Sequence, residues 1–426
     1  MFWKNRWLSV AGILAVSAIL LAACAPAAPA PKGQLQIFSW WTTGGEAAGL
    51  DNLYKIYNEQ FPDVEIINAT VAGGAGFEAK AVLKTRMLGG DPPDSFQVHM
   101  GHELIDTWVT TGQFMEPLDS LYQQEGWNNI FPAGVLEIVS QDGHPWSVPV
   151  NIHRANVLWY NTAILEEHNL TPPTTFDEFF EVAETLQDAG ITPLALGDVG
   201  IWASTHLFET VLIGTLGAED YRGLWTGETD WNGPGVREAL ENMKQMLTYV
   251  NDDHAALSWD QANDLVINGT AAMTIMGDWV DADYVAKLGT KEYQGFGWAP
   301  PPGNAGIYDA LSDTFGLPAN APNREAAIEW LRLVGSKAGQ EAFNPVKGSI
   351  CARTDCDASL FGPYLRSAMQ DWTRDSIVPS LAHGAAASEG WVTAIHDVMT
   401  VFVTDGDVAQ AQAGLANACV DAGVCS

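Results

Sequence analysis

Apolar residues in the N-terminal third of the chain switch between two periods. Leu35, Ile37 and Phe38 mark a short strand. Leu50, Leu53, Tyr54, Tyr57 and Phe61 then fall at i, i+3, i+4, i+7 and i+11, the spacing of one buried helical face, and Pro62 stops that helix. Between strand and helix lie Trp40 and Trp41, the turn formers Thr42 to Gly45, and Glu46 in the first helical turn. The indoles therefore sit at a strand's C-terminal edge, where open α/β sheets hold ligands. Two core tryptophans and a carboxylate complementing the helix dipole would read the same way.

The alternation continues. A strand is predicted over 64–71, a helix over 77–88 behind Gly73-Gly74-Ala75-Gly76, and a strand over 95–99 whose end presents Gln97 and His99. The glycine turn contains neither a G-x-x-x-x-G-K-[ST] nor a complete G-x-G-x-x-G, so no nucleotide cofactor is implied, and its glycines permit close backbone approach at a helix N-terminus. Two strand-like runs follow in HPWSVPVNIHRANVLWYN, and Thr175 with Glu178 forms a predicted capping box. Further on, one strand is expected over 309–317, an amphipathic helix over 324–333, and a short loop over 379–384 (PSLAHG). No tandem repeat of solenoid period is present.

The first residues change the picture of where this chain works. Lys4 and Arg6 precede an apolar run that ends in Leu21-Ala22-Ala23-Cys24, which reads as a secretory leader over 1–23. A Pro/Ala tether over 24–33 follows. The remaining cysteines fall into the close pairs Cys351/Cys356 and Cys419/Cys425, for which local disulfides are the simplest assignment in an oxidising compartment, although four cysteines allow three connectivities. Neither pair has Cys-x-x-Cys spacing, and His99-x-x-His102-Glu103 has helical metal spacing without a distant further ligand, so no metal is expected. A formal net charge of −32 excludes nucleic acid as a partner. At 426 residues and 47% hydrophobic composition, the chain can bury two cores.

These segments together resemble the carbohydrate solute-binding proteins of bacterial ABC importers, in particular the glucose/galactose-binding branch. The resemblance rests on Leu-Ala-Ala-Cys with its tether, IFSWWTTGGE, INATVAGGAG, MLGGDPPDSFQVH, VPVNIHRANVLWYN, MGDWV, LSDTFGLP and NPVKGSI. It implies an α/β fold of the two-lobe, type II periplasmic-binding-protein kind, with a ligand cleft between lobes joined by hinge crossovers. The first lobe would comprise 34–145 and 312–362, and the second 146–311 and 363–426. It implies a lipidated Cys24, an extracytoplasmic monomer held to the membrane by that lipid, and permease subunits with a cytosolic ATPase as partners. The sugar contacts of the branch fall on Glu46, Gln97, His99, Asp313, Lys347 and His383, and its stacking indoles on Trp259, Trp279 and Trp41, with Trp40 beside it. This chain carries one extra small residue between the Trp pair and Glu46.

A monosaccharide needs such side chains. Indoles offer apolar planes to its C–H face. Asp313 and Glu46 accept hydroxyl hydrogens, Lys347 donates, and neutral His99 and His383 do both. Each residue has a duller reading: Asp313 as a turn aspartate, Lys347 as a solvated side chain, His99 as a core histidine, and Trp259 and Trp279 as packing. Two rival functions share the equipment. An exported glycoside hydrolase would use Glu46 and Asp313 as its acid and base, and a binder of longer oligosaccharides would have a more open cleft.

Overall fold

The first strand and helix form as their periodicity requires. The computed structural model describes residues 31–289 and 295–426; the leader, Cys24 and most of the tether lie outside the described residues. The elements that position the cleft begin with β1 (Gly33–Phe38), α1 (Gly44–Gln60), β2 (Val64–Asn68), α2 (Phe77–Leu88) and β3 (Ser95–His99). They continue with β4 (Ser147–Pro149), β5 (His153–Arg154), β6 (Leu158–Asn161), β7 (Thr192–Ala195), α3 (Trp202–Thr226), β8 (Ala271–Ile275) and β9 (Phe296–Ala299). The last are β10 (Ile307–Leu311), β11 (Asp313–Gly316), α4 (Arg324–Gly335), α5 (Lys337–Lys347) and β12 (Ser376–Pro379).

On α1, Leu50, Leu53, Tyr54 and Tyr57 are buried, while Phe61 caps the helix half-buried. Tyr57 Oη donates to the Ala326 carbonyl of α4 at 3.0 Å, which satisfies the phenol where its ring is buried. Helix α1 also lies close against α5: a Cβ at Gly49 would stand 3.0 Å from the Phe343 ring.

Strands β2-β1-β3-β11-β4 form the sheet of the first lobe, and β9-β6-β8-β7 that of the second. A third sheet, β12-β10-β5, is separate from both. The expected single strand over 309–317 is two strands in two different sheets. Ser312 is where the chain changes lobe, and both flanking strands are fully buried, so nothing in their apolar pattern marks the break. The earlier crossing lies between Pro149 and His153: β4 pairs with β11 in the first sheet, whereas the expected division gave 147–149 to the second lobe. The two crossings bind each other, with Asp313 N donating to Asn151 Oδ1 at 2.7 Å and Val150 N to the Asp313 carbonyl at 3.0 Å.

Two other expectations need correction. The regular strand expected over 64–71 ends at Asn68, whose Oδ1 accepts from Thr70 N and Thr70 Oγ1, although Ala69 N and Val71 N still donate to the Ile37 and Ser39 carbonyls at 2.9 Å. Thr175 does cap its helix, accepting from Glu178 N at 3.2 Å, but the Glu178 carboxylate reaches Thr174 N and Oγ1 instead of closing the box. Both cysteine pairs form disulfides, Cys351–Cys356 and Cys419–Cys425. Among the described residues no helix is long and apolar enough to cross a membrane.

Candidate ligand-binding cleft

The ends of β1 and β3 and the start of β11 converge on a cavity of about 250 Å³ between the two lobes. Asp313, first residue of β11, is the centre of its charge. Oδ1 accepts from Gln97 Nε2 at 2.7 Å and Oδ2 from Asn151 Nδ2 at 2.8 Å, and His153 Nε2 lies 3.2 Å from Oδ2. Burial alone would raise this carboxyl, but the contacts with His153, and the Lys347 and His99 charges, hold it well below the usual carboxylate range. Lys347, the last residue of α5, is 2% exposed and pairs with Glu46 Oε1 at 3.1 Å. A positive charge at a helix C-terminus also complements the helix dipole, and Gly348 supplies the left-handed cap (φ +81°) that ends α5 there.

His99 and His153 are oriented from behind by carboxylates. His99 Nδ1 lies 2.9 Å from Glu103 Oε2, which Lys80 Nζ also meets at 2.6 Å. Burial would raise Glu103, yet Lys80 and His99 keep it low and ionised. His153 Nδ1 bonds Asp278, whose other oxygen accepts from Arg154 N at 2.9 Å. Burial and the Lys347 charge lower the His153 imidazole, but Asp278 and Asp313 outweigh them and raise it, and the ring bridges these two carboxylates at the hinge.

Aromatic rings supply the opposite wall. Trp279 stands 5.3 Å from the His383 ring and 6.4 Å from Trp202, centroid to centroid. Trp259, half-buried, is the first residue of a helix capped by Ser258. On the first lobe Trp40 meets His99 edge-on at 4.9 Å, whereas Trp41, though it also lines the cavity, is packed between Phe343 and Phe315. Trp40 sits on Gly76, where a Cβ would come within 2.6 Å of its ring and the positive φ of 73° already favours glycine.

Of the residues expected at the site, Trp40, Trp41, Glu46, His99, Trp259, Trp279, Asp313, Lys347 and His383 line the cavity. Gln97 does not. It stands behind the lining, accepting from Trp40 N at 3.2 Å and donating to Asp313. The extra residue before Glu46 leaves that carboxylate in the site, held by Lys347. Among the lining residues not anticipated are His153, Trp202 and Asp260. His153 lies in the quoted VPVNIHRAN run, but a lone histidine in a strand carries no mark of the carboxylates around it. Trp202 opens α3 after Ile201, whose φ of +62° forces the turn that sends the indole inward. The suspected metal spacing at 99–103 dissolves: His99 ends a strand, Glu103 bonds it, and His102 is exposed and paired with Asp106.

A model of the family described as bacterial extracellular solute-binding protein matches residues 33–341. An uncharacterized ABC transporter extracellular-binding protein of Pyrococcus horikoshii is 38% identical over 389 residues, spanning 90% of this chain and 87% of its own. A probable sugar-binding periplasmic protein of Brucella suis is 32% identical over 405 residues, with 93% and 94% covered. A bacterial solute receptor described as preferring β-D-galactopyranose exclusively superposes with a TM-score of 0.80 at 19% identity, covering 92% of this chain and 99% of that one. That likeness establishes the two-lobe periplasmic-binding-protein fold.

Proposed function

This chain belongs to the bacterial extracellular solute-binding proteins, and from that premise we propose that its cleft binds a sugar and delivers it to an ABC importer. It is a binding protein and not an enzyme.

The ligand we propose is one monosaccharide, glucose or galactose. The observation that carries this is the closure of the cavity at Gly74, whose added Cβ would stand 2.1 Å from Trp202 Nε1. Backbone and indole thus meet across the lobes and close one side of the cavity. Inside it, Asp313, Glu46 and Lys347 offer charge-assisted bonds worth about 1.5–3 kcal/mol each. Micromolar affinity needs about −8 kcal/mol, so a few such bonds and the stacked face suffice.

A longer ligand has one feature in its favour. A second cavity of about 140 Å³ lies beyond that wall, sharing Ala75 and Trp202 with the first. An oligosaccharide would have to part Gly74 from Trp202 to use it. Calorimetric titration with glucose, galactose, maltose and cellobiose separates the readings: stoichiometric binding of a hexose without turnover is expected, and preference for the disaccharides would overturn the monosaccharide assignment. We also propose that the mature chain is a monomer anchored outside the cytoplasmic membrane through a lipid on Cys24, with permease subunits as its partners. Incorporation of labelled palmitate that is lost in Cys24→Ala is the expected result.

A further inference from the structure

Behind His383 the protein buries two carboxyl groups that lie outside the cavity lining. Glu209 on α3 and Asp309 on β10 are both fully buried. Burial raises each of them, and the nearness of Glu209 raises Asp309 further. Glu209 is also tied to the turn that carries His383. Its Oε2 accepts from Ala382 N at 2.8 Å, and Ser380 Oγ lies 3.0 Å from Oε1 and 3.2 Å from Oε2. Ser380 Oγ in turn lies 2.9 Å from His383 Nδ1. His206, Glu209 and His383 bring ligand atoms within 4.8 Å of one another, as a metal would require, but Ser380 and Ala382 already occupy the Glu209 oxygens.

The hydrogen count decides how this chain is wired. A serine hydroxyl has one hydrogen to give, and the carboxyl group is the stronger acceptor. Ser380 therefore donates to Glu209, and the 2.9 Å contact with His383 needs its hydrogen from Nδ1. His383 is neutral, because burial and then the facing His99, His206, Lys80 and His153 lower it well below the ordinary histidine value. Its Nε2 is then an acceptor. We infer that Glu209 is a positioning residue for the ligand: through Ser380 it holds His383 as the Nδ1–H tautomer and presents Nε2 to accept a sugar hydroxyl. The role in recognition rests on the sugar reading of the cleft.

A pH dependence follows. The pair is faced by His206, 3.4 Å from Glu209, by Arg154 from β5, by Tyr221 of the same helix, and by His383. Ionisation of both acids at high pH would set two buried negative charges against each other behind the turn over 380–383, with Arg154 the cation facing Asp309. Affinity should therefore fall at the alkaline end. Long-range nitrogen-15 NMR of the histidines reads the tautomer without any ligand, and glucose titrations from about pH 6 to about pH 9.5 read its consequence. Wild type should show His383 protonated on Nδ1, with both Glu209→Gln and Ser380→Ala moving it towards the other tautomer. Each variant should bind glucose about tenfold more weakly at neutral pH, the scale of one lost buried hydrogen bond, and Glu209→Gln should lack the alkaline decline. Ser380→Ala leaves the acid pair in place, so it remains informative if Glu209→Gln does not fold. A wild-type His383 protonated on Nε2, or variants with unchanged tautomer and affinity, would overturn the inference. If the tautomers behave as expected but wild type binds no sugar, the hydrogen-bond chain is upheld and the reading of the cleft is what fails.

Discussion

The two walls of the cleft are built from different materials on different supports. The first lobe contributes mainly polar and charged groups beside Trp40: Asp313 and His99 on strand ends, and the Lys347–Glu46 pair on helix termini, each fixed by buried partners such as Gln97, Asn151 and Glu103. The second contributes rings, Trp202, Trp259, Trp279 and His383, at helix starts and in turns, with Trp202, Trp279 and His383 in mutual ring contact. An ionic wall needs its atoms placed to a fraction of an ångström, and strand ends provide that. An aromatic wall gains most of its energy from area and tolerates a softer support. One wall is thus suited to telling hydroxyls apart, and the other to holding any sugar face.

The strongest way to break that comparison is Asp313→Ala. It removes the buried carboxylate that Gln97, Asn151 and His153 meet, and about 3–5 kcal/mol is expected to be lost from ligand affinity or fold stability. Calorimetry and thermal melts would read it; a variant with wild-type affinity and melting temperature would show that the ionic wall is decorative. Acid should next separate the lobes. The buried His206 is lowered to about 4 by desolvation, as is His396, so the unfolded chain takes up protons first as pH falls below the ordinary 6.5. For His206 alone that difference is about 3 kcal/mol. Asp313 and Glu103, held low, keep their contribution above the unfolded carboxylate value and lose it only as pH falls through their own depressed values. His153, raised between its carboxylates, opposes the loss at the hinge by stabilising the fold below 6.5. Hydrogen exchange at about pH 5 should therefore show second-lobe amides opening before first-lobe ones; the reverse order would contradict the assignment.

Trp279→Ala should cost about 2 kcal/mol of affinity, nearly equally for glucose, galactose and their deoxy forms, because it removes stacking and spares hydroxyl recognition. A loss confined to one epimer would blur the distinction between the walls. The smallest effect is expected from Gly74→Ala, whose methyl group would meet Trp202 and hold the lobes apart, weakening binding about tenfold with no change in melting temperature. Fluorescence titration reads this, and unchanged affinity would mean that the contact does not limit closure.

The ionic wall was the more legible of the two in the sequence. Strands β1 and β3 and the start of α1 could be placed from pattern alone, and with them Trp40, Glu46 and His99, whereas Lys347 was named only by resemblance. Asp313 could be named only by resemblance, because DALSDTFGL carries no glycine or proline at Ser312 to show that the chain leaves one sheet for another. Trp202 and His153 escaped for a related reason. Their places depend on a left-handed Ile201 and on Asp278, more than a hundred residues away from His153. Gln97, expected among the contacts, turned out to act one layer behind them, a distinction that strand position does not encode.

A crystal structure of the chain grown with glucose or galactose tests the account most directly. It should show one sugar ring with its C–H face on Trp279 and its hydroxyls within hydrogen-bonding distance of Asp313 and Lys347. A sugar lodged instead in the second cavity beyond Trp202, or an empty cleft at saturating ligand, would contradict it.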